Sequence, residues 1–235
     1  MADNGKKVAV ISLGCDKNRV DTENILWFLG EGGYSATNDL ADADVIIVNT
    51  CSFISSAEKE AVDTIFEAAA YKTSGRCKTL VVAGCLPMRY KEKLAELLPE
   101  VDRFVGMNDY ADICDIIGRE EKLYVSGDYS PTEKRILSTP PHYAYLKIAD
   151  GCDNRCTYCT IPYIRGRYRS RTPESLLSEA KHLDDLGVRE LILVAQDVTR
   201  YGYDLGGKYL LVPLLKELLA NCSFGKIRLL YCYPE

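Results

Sequence analysis

Three runs of almost unbroken apolar residues, KVAVISL (7–13), VIIVN (45–49) and TLVVAG (79–84), most constrain what this chain can become. A strand with one wet face alternates apolar and polar residues. A strand without polar alternates must be covered on both faces, as in a parallel sheet sandwiched by helices. Helical patterning follows each run, over about 21–30, 56–71 and 90–98. A shorter strand at 103–105, a helix over 109–117 and a strand at 122–125 complete the series. Residues 1–125 therefore predict an α/β domain with a doubly wound parallel sheet.

Residues 126–142 (SGDYSPTEKRILSTPPH) break the rhythm with Pro131, Pro140 and Pro141, and read as a linker. A second βα series begins behind them: strand 144–149, helix 173–186, strand 190–195, helix 210–221, strand 226–230. It reads as the first part of a β/α barrel over 143–235, because a full barrel takes roughly 250 residues. The expectation is a chain that stops inside its second domain. Its open sheet edge and exposed apolar surface would favour association, which weighs against activity at this length.

No stretch approaches the ~18 consecutive apolar residues of a membrane span. The opening MADNGKK lacks the apolar core of a signal peptide, so the expected location is cytoplasmic, with no membrane partner. Residues 1–125 carry 14 Lys/Arg against 21 Asp/Glu, and the remainder 15 against 13. The first part thus has no electrostatic footprint for nucleic acid and the second only a local one. Ten cysteines in a chain with ample core residues need not be staples, and in a reducing compartment clustered cysteines more often hold metal.

Three of them stand together in GCDNRCTYC (151–159), as Cys152-x₃-Cys156-x₂-Cys159, directly after a predicted strand. That is the position of the first βα loop of a barrel, where active sites lie. Three thiolates at this spacing can ligate three irons of a [4Fe–4S] cube and leave the fourth open to a ligand. A zinc site is the competing reading, but zinc favours four ligands, and His142 and His182 have no matching spacing. Three further cysteines, Cys15, Cys51 and Cys85, each follow the end of a predicted strand. The ends of parallel strands line one edge, so these thiols could meet at a second cluster; they could equally be small buried residues. Cys77, Cys114, Cys222 and Cys232 share no such setting.

The GCDNRCTYC run resembles the signature of the radical S-adenosylmethionine (SAM) superfamily. ISLGCDKN (11–18), NTC (49–51) and AGC (83–85) resemble the N-terminal domain of its methylthiotransferase family, and the likeness covers nearly the whole chain. It implies two [4Fe–4S] clusters, one on Cys152, Cys156 and Cys159 and one on Cys15, Cys51 and Cys85, with SAM bound at the first beside Tyr158. HYAYLKIADGC (142–152), IPYIRGRYRSR (161–171), AQDVTRYG (195–202) and the ending LYCYPE (230–235) are similar to the RimO-like branch. Gln196-Asp197-Val198 stands where the transfer RNA-modifying, MiaB-like branch has Gln-Asn-Val. The implied activity is methylthiolation of an aspartate β-carbon on a small-subunit ribosomal protein. The implied partners are that protein, the ribosomal subunit and an electron donor such as flavodoxin or ferredoxin. A transfer RNA adenosine methylthiotransferase of the MiaB-like branch is the first alternative, and a non-catalytic iron–sulfur binding module the alternative of another class.

Arg165, Arg167, Arg169 and Arg171 recur at a period of two, which would place them on one side of an extended segment. Following the cluster loop as they do, they suit a cofactor or substrate pocket; a nucleic-acid strip or internal ion pairs are the alternatives. Trp27 reads as core, the acidic residues 58–67 as a solvated face, and His182 as a surface residue.

Overall fold

The computed structural model describes residues 5–127 and 131–233. It divides into two compact units, Met1–Ser130 and Pro131–Glu235. Part of the expected linker, 128–130, lies outside the described residues, as do the last two residues of the LYCYPE ending.

The first unit runs β1 (Lys7–Ser12), α1 (Asp16–Glu31), β2 (Ser35–Ala36), β3 (Val45–Thr50), α2 (Ser55–Ser74), β4 (Thr79–Gly84), α3 (Cys85–Tyr90), α4 (Glu92–Leu97), β5 (Arg103–Val105), α5 (Ile113–Gly118) and β6 (Leu123–Tyr124). All six strands are parallel, in the order β2-β1-β3-β4-β5-β6. The order reverses between β1 and β3, the switch point at which such sheets bind ligands. Successive strand residues point to opposite faces, and both faces are dry. Ala9, Ile46, Val48, Leu80, Val82 and Phe104 pack with Ala61 and Ile65 of α2, Leu86 of α3 and Leu94 of α4. Val8, Val45, Ile47, Val81, Ala83 and Val105 pack with Ile25 and Leu29 of α1 and with α5. Two buried faces are why these strands carry no polar alternation.

The second unit runs β7 (Tyr143–Lys147), β8 (Ala149–Asp150), α6 (Ile161–Ile164), β9 (Arg169–Ser170), α7 (Pro173–Asp185), β10 (Glu190–Val194), α8 (Tyr203–Gly206), α9 (Leu211–Asn221) and β11 (Lys226–Leu229). β10 lies between β7 and β11 in a parallel three-stranded sheet, and β8 and β9 form a small antiparallel pair. Ala144, Leu146, Leu191 and Leu193 pack with Leu176, Ala180 and Leu183 of α7 and Leu214 and Leu218 of α9. No helix among the described residues is long and apolar enough to cross a membrane.

Several elements differ from expectation. α1 begins at Asp16 rather than near residue 21, because its first turn buries polar rather than apolar side chains, Lys17 and Asn18 among them. The helix expected over 90–98 is α4, Glu92–Leu97, and an unexpected short helix, α3, precedes it from Cys85. Pro87 is tolerated in the first turn of α3, and Lys91 at φ +46° breaks the chain between them. The expected helix at 109–117 opens as a 3₁₀ turn at Tyr110–Asp112.

Candidate functional site

In the second unit, Asp150 ends β8 immediately before the three-cysteine loop and is buried. Arg165 Nη1 donates to both of its carboxylate oxygens at 3.1 and 3.0 Å, Lys147 Nζ to one at 3.2 Å, and the amide of Gly151 to the other at 2.8 Å. Burial alone would raise the carboxyl of Asp150; the Arg165 and Lys147 cations outweigh it and hold the group well below the usual carboxylate range. Gly151 turns the chain at φ +75°, and a Cβ there would lie 2.0 Å from the carbonyl oxygen of Arg167. The amide of Cys152 then donates to the carbonyl of Gly166 at 3.1 Å, and that of Cys159 to the carbonyl of Cys156 at 2.9 Å.

Two more contacts pin the middle of the loop. Arg167 grips Asp153 with Nε at 2.7 Å and Nη2 at 3.2 Å. Asn154 donates from Nδ2 to Asp197 at 3.0 Å and accepts from Arg200 Nη1 at 3.0 Å. Asp197 lies just beyond β10, buried, and also accepts from the amide and hydroxyl of Thr199; its carbonyl accepts from the Tyr168 hydroxyl at 2.7 Å. The loop is thus tied to both neighbouring strand ends, β8 and β10.

Cys152, Cys156 and Cys159 all line one cavity of about 550 Å³, with Asp153, Arg155, Thr157, Pro162, Tyr163, Gly166 and Arg167. Burial pushes the Cys152 thiol up, and the neighbouring Cys159, Asp197 and Cys156 add to the rise against a bond from the Asn154 amide. Three thiolates there repel one another and call for a positively charged partner. Among the described residues, no three His, Cys, Asp or Glu side chains gather tightly enough to hold a single metal ion. A cubane asks for a looser set, since each thiolate takes a different iron. The donor chemistry and the shared cavity fit such a cluster. Tyr158 is 83% exposed and is not among the cavity-lining residues, whereas Tyr163, 84% exposed, is.

In the first unit the other three cysteines stand at the carboxyl ends of three neighbouring strands. Cys15 caps α1 after β1, Cys51 follows β3, and Cys85 opens α3 at the end of β4. β1 pairs with β3 through Ser12↔Asn49, and β3 with β4 through Thr50↔Gly84, so Cys51 and Cys85 leave their strands in register. Gly14, at φ +92°, lies against Cys51, where an added Cβ would meet that residue's Cβ at 2.6 Å. The turn carrying Cys15 is therefore packed onto the turn carrying Cys51, at the switch point of the sheet.

The arginine series does not form one basic face. Arg165 and Arg171 are buried, the first on Asp150 and the second on Glu179, which also pairs with Arg135 at 2.9 Å. Arg169 donates to the carbonyl of Arg165, and only Arg167 lines the cavity. The period of two is broken because Arg165 closes α6 and Arg169 begins the strand. Internal pairing, the less favoured alternative, explains three of the four. Spacing did not point to Asp150, Asn154 or Asp197; the one trace of Asp197 was its difference from Gln-Asn-Val.

The Uncharacterized protein family UPF0004 model matches residues 7–106, and the Radical SAM superfamily model matches residues 146–229. The chain is 53% identical over 238 residues to Ribosomal protein uS12 methylthiotransferase RimO of Clostridium tetani, covering 97% of this chain and 53% of that protein. It is 49% identical over 243 residues to the protein of the same name in Geobacter sulfurreducens, covering 100% of this chain and 54% of that protein. It therefore spans about half the length of the curated relatives it matches. Among solved structures, the radical S-adenosylmethionine methyltransferase TsrM from Kitasatospora setae, with cobalamin and [4Fe-4S] cluster bound, shares the fold. The TM-score is 0.58 at 13% identity, over 92% of this chain and 52% of that one.

Proposed function

The chain belongs to the RimO-type methylthiotransferases of the radical SAM superfamily, and from that premise we propose that it binds two [4Fe–4S] clusters and SAM to methylthiolate a small-subunit ribosomal protein. The observation that carries the reading is the cavity lined by Cys152, Cys156 and Cys159 on the loop that follows β8. These three cysteines hold one cluster, and Cys15, Cys51 and Cys85 hold the other. Held there by three thiolates, a cluster would supply one-electron reducing chemistry toward SAM at its open iron.

The chain's own part is placement. Asp150, clamped by Arg165 and Lys147, fixes where the loop leaves the sheet. Arg167 on Asp153 and Asp197 on Asn154 set the loop's course, so that the thiols face one cavity. Tyr163 and Arg155 line the same space and are available to a bound cofactor, and the exposed Tyr158, next to Cys159 in the loop, is assigned the adenine contact by the family resemblance. The substrate residue is an aspartate, modified at its β-carbon. The relatives' name, uS12 methylthiotransferase, supports a ribosomal protein as substrate in preference to transfer RNA. A small electron carrier such as flavodoxin or ferredoxin in the cytoplasm supplies the electron.

Anaerobic reconstitution with iron and sulfide tests this reading. The chain should bind about eight irons, and a Cys152→Ala/Cys156→Ala/Cys159→Ala variant about half as many. Reduced chain should cleave SAM, and the triple variant should not. About four irons, all lost in the triple variant, would remove the cluster of the first unit and with it the methylthiotransferase assignment.

A further inference from the structure

The parallel ladder of the first unit stops one to three residues short of each cysteine at its carboxyl edge. Two side chains take over where it stops. Asn18, buried in the first turns of α1, directs Nδ2 at three carbonyls: Leu13 at 2.6 Å, Asn49 at 3.3 Å and Thr50 at 3.3 Å. Leu13 lies two residues before Cys15, and Thr50 immediately before Cys51. Asn49 returns the contact, its Nδ2 donating to the carbonyl of Asn18 at 3.0 Å and to Thr22 Oγ1 at 2.8 Å. Thr50 Oγ1 then donates to the carbonyl of Ala83 at 2.6 Å and accepts from the amide of Leu86 at 3.2 Å. Ala83 and Leu86 bracket Gly84 and Cys85.

Apart from the local bond to Leu13, these bonds reach across some 30 residues of chain, whereas a capping side chain bonds within its own turn. Asparagine is a poor choice inside a helix, and burying its amide costs stability unless it is bonded; here Nδ2 is bonded and Oδ1 has no partner among the described residues. Its place is explained by what it spans: Asn18 gauges the turn of Cys15 against that of Cys51, and Thr50 gauges the turn of Cys51 against that of Cys85. Glycines leave room for the turns to close, since a Cβ on Gly84 would meet Asn49 Oδ1 at 2.4 Å and the Thr50 carbonyl at 2.7 Å.

We propose that Asn18 and Thr50 are positioning residues that set the spacing of Cys15, Cys51 and Cys85 for one shared cluster. The proposal rests on the two-cluster reading above. Its test uses the Cys152→Ala/Cys156→Ala/Cys159→Ala chain as parent, so that only the first unit can hold iron. Thr50→Val and Asn18→Leu remove the bonds at nearly constant volume, and Thr50→Ser retains the hydroxyl. Iron per chain, the electron paramagnetic resonance spectrum and midpoint potential of the reduced cluster, and its loss rate under a chelator are read beside circular dichroism.

Thr50→Val and Asn18→Leu should stay folded, lose the cluster on the order of tenfold faster and show an altered spectrum. Thr50→Ser should restore the parental values. Unchanged spectra and loss rates in the folded Thr50→Val and Asn18→Leu chains would overturn the proposal alone. A parent chain that binds no iron would overturn the two-cluster reading and the proposal together. If Asn18→Leu does not fold, the Thr50 pair decides.

Discussion

At Gly151 a single missing side chain allows the three-cysteine loop to start. Its φ of +75° disfavours any L side chain, and the added Cβ would meet backbone rather than a movable group. Gly151→Ala should therefore lower the unfolding free energy by at least ~2 kcal/mol, read by urea titration, and reduce the iron bound to the second unit. Asp150 beside it gives a prediction in pH. Its folded-state pKa is depressed, so its contribution is fully present above the unfolded value of about 4 and is lost as pH falls through the folded one. Asp150→Asn sets a neutral amide against two buried cations and should cost ~3–5 kcal/mol at neutral pH. It should also flatten the fall in stability below pH ~4, and a variant as acid-sensitive as the parent would refute the assignment. The six candidate cysteines can be singled out in the sequence because their placement is itself the signal: three thiols at a fixed spacing, three more each just past a strand end. Asp150, Asn18 and Thr50 cannot, since each is defined by a partner that fold geometry supplies and spacing does not.

Strands were the most legible elements, because burial on both faces writes itself as apolar runs such as 45–48 and 80–83. Helices that bury polar side chains were the least legible, and the first turn of α1 is the example. The short elements α6, α8, β8 and β9 have too few residues to show a period, although β8 and β9 frame the cluster loop. The tie between that loop and the turn after β10 is a matched pair: Asn154 donates to Asp197 and accepts from Arg200. Asp197→Asn can set one amide donor against another, costing ~1–3 kcal/mol through an unmet buried group. Adding Asn154→Asp restores a donor opposite an acceptor and keeps a partner for Arg200. A double-mutant cycle by thermal unfolding should show recovery of most of the first loss; additive losses would show that the two side chains do not act as a pair.

For the whole molecule, the sequence pattern marked two βα series, and the structure gives each its own core. The first unit buries apolar side chains on both faces of six strands, centred on residues such as Ile47 and Val48. The second gathers Leu146, Leu193, Leu176, Leu214 and their neighbours in one cluster. A unit with its own core is a unit of cooperativity, so scanning calorimetry should resolve two transitions. Leu193 and Ile47 are both fully buried, and truncation of such a side chain to alanine costs ~2–5 kcal/mol. Leu193→Ala should lower one transition and leave the other in place, and Ile47→Ala should do the reverse. One shared transition, lowered by either change, would mean that the two units fold as a single body. In that case the loss of iron expected from Gly151→Ala should extend to the cysteine triad of the first unit, whereas separate transitions confine it to the second.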